Sequence, residues 1–123
     1  LQSGLVKSIW IQFGTDNPLL ETRIQILKKI ISSAEKVNSI KSEINLFGSI
    51  LIPSKQFLAR FRYRPWKGVY CSQKFLESVD FATNSVINLL NTYKKHKICP
   101  IIETDVSNEN KLNSLISILK SSI

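Results

Sequence analysis

Methionine is absent from this chain of 123 residues, histidine occurs once, and only two cysteines are present. Each scarcity excludes something. The cysteines, Cys71 and Cys99, form no CxxC pair, and His96 could add only a third ligand to a structural zinc site that needs four. The four glycines are scattered, so there is no glycine-rich phosphate loop. No apolar run approaches the roughly 18 residues of a membrane span, and no signal-peptide pattern is present. A chain that opens on Leu1 and lacks methionine reads as a fragment or processed piece of a larger protein.

Acidic side chains are also scarce. Nine acids face 17 lysines and arginines, for a net charge of +8. Such an excess favours anionic partners: nucleic acid, acidic protein surfaces or lipid headgroups. Apolar residues are not scarce, at 43%. They suffice for one α/β domain over 1–123, burying roughly two thirds of its unfolded surface without disulfide or metal. The cysteines read as free thiols, at least one of them buried, in a reducing compartment; a Cys71–Cys99 bridge is the alternative. The expected location is therefore intracellular, nuclear or cytoplasmic.

Residues 5–13, LVKSIWIQF, read as a strand that GTDNP terminates. Asn17 suits a helix N-cap and Pro18 its first turn. Leu20, Ile24, Leu27, Ile31 and Ala34 then mark one helical face. Residues 42–54 are strand-like, with Gly48 expected to mark a bulge or tight turn. Residues 56–64 read as a further strand, turned by PWKG. Ser72 caps a helix whose apolar positions Phe75, Val79, Ala82, Val86, Leu89 and Tyr93 repeat at alternating steps of four and three. Lys94, Lys95, His96 and Lys97 end it with the charge sign that suits a helix C-terminus. KICPIIETD is a strand that Pro100 places at an edge or bulge. Ser107 is expected to cap a last helix with Leu112, Leu115, Leu119 and Ile123 inward.

The resulting order, β-α-β-β-α-β-α, fits a ferredoxin-like split β-α-β sandwich with an extra C-terminal helix. A Rossmann-like open sheet is the alternative, and requires a parallel crossover after the first strand.

The segment QFLARFRYRPWKGVY, 56–70, carries an arginine at every second position: Arg60, Arg62 and Arg64. On a strand these share one face, while Phe57, Ala59, Phe61 and Tyr63 share the other. If Ile9, Ile11 and Phe13 point inward, Trp10 lies on the outer face beside the arginine row. That arrangement would bind single-stranded nucleic acid, with Lys67 supplementary. The bland reading is a solvated face paired with acids such as Glu43. Trp66 and Tyr70 are candidate hot spots for a protein partner, or a lid on the core.

Signals for catalysis are weaker. His96 lies among lysines with no triad partner in sequence, and neither thiol has a neighbouring base. Asp16 and Asp105 each follow a strand and could meet over Mg²⁺ only if the sheet is parallel; their ordinary role is at helix starts. The sequence thus favours a non-enzymatic binding domain of a multi-subunit assembly, contacting nucleic acid or a ribonucleoprotein through a basic sheet face, with no cofactor. A protein-interaction or dimerisation domain for an acidic partner comes second, and a small metal-dependent enzyme third.

Overall fold

The computed structural model describes residues 6–15, 17–39, 43–104 and 106–122. Three strands and five helices follow one another along the described residues: β1 (Ser8–Ile11), α1 (Asn17–Asn38), β2 (Asn45–Leu51), α2 (Lys55–Tyr63), α3 (Gln73–Glu77), α4 (Val79–His96), β3 (Cys99–Glu103) and α5 (Glu109–Ser121). The strands form one sheet in the order β1-β2-β3, and both pairings are parallel. The mixed α/β class holds, but the ferredoxin-like order does not. Residues 55–63 are helical, so the central hairpin that order needs is absent among the described residues. The parallel crossovers of the open-sheet alternative are present instead.

Register sorts the sheet into two faces, because laterally paired residues of a parallel sheet point the same way. Leu46, Gly48 and Ile50 of β2 share a face with Ile9 and Ile11 of β1. This face meets α4, since a Cβ on Gly48 would collide with the Tyr93 ring. Gly48 therefore marks neither bulge nor turn. It lies within an uninterrupted strand, where the missing side chain admits Tyr93. The Tyr93 hydroxyl donates to the Ser49 carbonyl at 3.1 Å. Burial raises the Tyr93 pKa far above its ordinary value.

Helix α1 packs beside α4. Its Leu20 and Ile24 are buried in one cluster with Ile50, Phe75, Val86 and Leu89. Burying each such side chain contributes about 1.5–3 kcal/mol. Polar contacts tie the two helices along a second line. Glu21 accepts from Lys95 and lies 3.1 Å from His96 Nε2, while Lys28 Nζ donates to the His96 carbonyl at 2.8 Å. His96 is thus a buried side chain facing a carboxylate, not only a member of a lysine cluster.

The opposite sheet face carries Trp10, Phe47, Ser49, Cys99 and Ile101. Trp10, Cys99 and Ile101 are exposed there. The Trp10 indole N–H donates to the hydroxyl of Ser49, which is fully buried. Ile9 and Ile11 turn inward and Trp10 outward, which settles a facing that the sequence left open.

The long helix expected after Ser72 is two helices. Ser78 is extended (φ −135°, ψ 123°) and caps α4, while Ser72 caps the short α3. The last helix starts one residue later than expected, with Asn108 rather than Ser107 as its cap. β3 is terminal in the sheet among the described residues, one of the two placements, edge or bulge, that Pro100 allows. Cys71 and Cys99 are free thiols, the first half-buried and the second exposed. Among the described residues, no helix is long and apolar enough to cross a membrane.

Candidate anion-binding site

Helix α2 builds the site, and its sequence explains why it is a helix. Residues 55–64 contain no β-branched side chain, the residue class most at home in strands. Ser54 is extended and accepts from the Phe57 N–H at 3.0 Å, satisfying an orphan donor of the first turn. Leu58 and Phe61, three positions apart, are the buried residues of α2. Arg64 precedes Pro65, which disfavours helical backbone, and the helix ends there with Arg64 at φ −138°, ψ 84°.

The three arginines are therefore not one row. At about 100° per residue, Arg60 and Arg64 share a helix face and Arg62 lies nearly opposite. All three are exposed. Trp10 is not beside them. It sits on β1 at one edge of the sheet, whereas Arg60 shares a concavity of about 520 Å³ with Ile102, Glu103 and Thr104 at the other.

A tighter constellation replaces the expected one. Arg60, Tyr63, Arg64, Pro65, Trp66 and Lys67 line a surface concavity of about 650 Å³, with no acidic residue among them. Tyr63 is 93% exposed and Trp66 48%. Trp66 is held by aromatic contacts, edge-on to Phe57 with ring centroids 5.5 Å apart and tilted against Phe61 at 6.1 Å. One edge of the indole is thus anchored while the rest stays accessible. It covers Phe57 and remains half wet, so the lid and hot-spot readings of Trp66 describe two sides of one ring.

The turn that presents Trp66 and Lys67 is closed by the Val69 N–H donating to the Trp66 carbonyl at 3.2 Å. Gly68 occupies its third position at φ +84°, the left-handed region that glycine enters without strain. Tyr70 is exposed but belongs elsewhere. Its backbone bridges Gly14 just beyond β1, and the Ser72 N–H donates to Thr15 Oγ1 at 2.8 Å.

Cations on the last turn of a helix complement its dipole whether or not a ligand exists. The dipole does not explain two accessible aromatic rings set among them. Guanidinium and ammonium groups hold anionic oxygens, and exposed rings offer stacking surfaces; both are needed to hold a base and its phosphate.

The metal reading rests on Asp16 and Asp105, both of which lie outside the described residues. The sheet is parallel, the arrangement that reading requires, so Thr15 after β1 and Thr104 after β3 follow the same end of the sheet. Among the described residues, no three His, Cys, Asp or Glu side chains converge as a metal site would require.

Sequence reasoning missed that Tyr63 belongs with the cations, because on a strand it would face away from them. The Ser54 cap and the spacing of Phe57 and Phe61 were the available helical signals. Comparison of the chain with protein families, with curated proteins and with solved structures finds no match.

Proposed function

We propose that the protein is a non-enzymatic binding domain that grips single-stranded nucleic acid at the C-terminal end of α2. The observation that supports this reading is the gathering of Arg60, Arg64 and Lys67 around Tyr63 and Trp66 in one acid-free concavity. The cations meet phosphates while the rings stack on bases. Bases are available for stacking only where they are not already paired in a duplex, hence the preference for single strands. The net charge of +8 draws the polyanion from a distance. A domain of this kind would act within a larger ribonucleoprotein or similar assembly.

Fluorescence anisotropy with labelled single- and double-stranded oligonucleotides tests it. The variant Arg60→Ala/Arg64→Ala/Lys67→Ala should lose binding, while Arg62→Ala, outside the concavity, should retain most of it. Equal behaviour of both variants would remove the site. Failure of every oligonucleotide, with retention of an acidic peptide, would assign the same surface to an acidic protein partner instead.

A further inference from the structure

Helix α1 carries a second apolar stripe that stays exposed among the described residues. Leu19, Ile26, Ile30 and Val37 are 44%, 52%, 50% and 83% exposed. At about 100° per residue all four lie within a 40° arc. The stripe runs 18 residues, or about 27 Å at 1.5 Å per residue. Glu21 and Lys28, which reach α4, lie on the opposite side of α1. α4 touches β2 and β3. The stripe therefore faces away from α4, past β1.

β1 is itself a terminal strand of the sheet among the described residues. Lys7 bonds toward β2 through its carbonyl, so strand alternation turns the backbone groups of Ser8 and Trp10 outward. The other edge strand, β3, carries Pro100 and Glu103, devices that discourage further pairing. β1, with the sequence SIWI, carries neither proline nor charge. An open strand edge and an uncovered helix stripe thus point in the same direction, the direction in which the sheet would continue.

The stripe complements itself. If two α1 helices pack antiparallel, with residue 28 of each at the centre, Leu19 lies opposite Val37 and Ile26 opposite Ile30. Arg23, the one charged residue bordering the stripe closely, then lies opposite Ser33 rather than its own copy. A two-fold axis between the β1 edges imposes this antiparallel arrangement. We infer that this face binds a second copy of the chain, with β1 pairing antiparallel across the two-fold to make a six-stranded sheet and the α1 stripes packing beside it. This inference is independent of the nucleic-acid reading, since the residues it uses are separate from Arg60, Arg64, Lys67, Tyr63 and Trp66.

Sedimentation and light scattering across a concentration series, without nucleic acid, test it. The expected result is a mass that rises to twice that of one chain. The copies each carry +8, so added salt should strengthen the dimer by screening their repulsion. Salt acts in the opposite direction on nucleic-acid binding. Ile26→Lys/Ile30→Lys, at half-exposed positions, should leave a folded monomer. In a Cys71→Ser/Cys99→Ser background, Leu19→Cys/Val37→Cys should form an intermolecular disulfide, and neither single cysteine should. A monomer at every concentration would overturn the proposal. So would a dimer that survives Ile26→Lys/Ile30→Lys. Ready cross-linking of either single cysteine would overturn the antiparallel arrangement.

Discussion

Placing one methyl group on Gly48 should damage this fold more than most surface changes. A Cβ there would fall 2.7 Å from the Tyr93 hydroxyl oxygen and closer still to two of its ring carbons. Tyr93 cannot swing aside cheaply, because it is 1% exposed and its hydroxyl bonds the Ser49 carbonyl. Overpacking of a filled core costs about 1–3 kcal/mol. Losing the Tyr93 hydrogen bond adds about 1 kcal/mol. Alanine's lower chain entropy than glycine returns about 0.5–1 kcal/mol. The net cost of Gly48→Ala is about 1–3.5 kcal/mol, or about 4–14 °C in Tm for a domain of this length. Thermal and urea unfolding followed by circular dichroism measures it. On a Tyr93→Leu background the ring is gone, and Gly48→Ala should cost almost nothing. A penalty of equal size in both backgrounds, or no penalty in the wild type, would refute the close-approach argument.

Further outcomes follow from the same geometry. Gly68→Ala forces a Cβ into left-handed backbone at φ +84°, and should cost about 1–2 kcal/mol in urea unfolding while weakening oligonucleotide binding, because that turn presents Trp66 and Lys67. Lys95 above all, with His96 second, holds the Glu21 carboxyl below its ordinary pKa. A depressed carboxylate stabilises the fold above its unfolded pKa, and that stability is lost as pH falls from the ordinary carboxylate range through the folded value. Wild type should thus lose stability on acidification more steeply than Glu21→Gln, as denaturant midpoints between neutral and acidic pH will show. Burial pushes the Cys71 thiol up to about 11, whereas Cys99 is exposed. A thiol reagent near neutral pH should modify Cys99 promptly and the half-buried Cys71 far more slowly, which mass spectrometry resolves.

Much of the architecture could be read from residue order alone. The face Leu20, Ile24, Leu27, Ile31 foretold α1, Val86, Leu89 and Tyr93 foretold α4, and Pro100 narrowed its strand to an edge or a bulge. These succeed because a helix or edge strand imposes its period or its missing donor locally. The failure at 56–64 has an equally local cause. Arginine at alternate positions imitates the two-residue period of a strand, but all three side chains are exposed and packing does not constrain their spacing. The buried pair, Leu58 and Phe61, keeps helical spacing, and burial decides the conformation. That one segment turned a parallel sheet into an expected hairpin and put Trp10 beside arginines it does not meet. The unbroken apolar run Ile50, Leu51, Ile52 was the compensating signal, since a strand of a parallel sheet reads as a continuous apolar run rather than an alternating one. The α1 stripe was also legible in the spacing of Leu19, Ile26, Ile30 and Val37. It was hidden by the apolar face beside it, which accounts for a helix on its own.

The most direct test of the central claim is the salt dependence of binding to a single-stranded oligonucleotide, with and without the cations at the end of α2. Three phosphate contacts from Arg60, Arg64 and Lys67 predict a slope of log affinity against log salt of about −2, or about a 20-fold loss for a fourfold rise in salt. Trp66→Ala should weaken binding about 5- to 150-fold, the range for one lost stacked base, without changing that slope. A slope that Arg60→Ala/Arg64→Ala/Lys67→Ala leaves intact would contradict the account, and nucleic acid, if bound, would then be held by another face of this +8 domain.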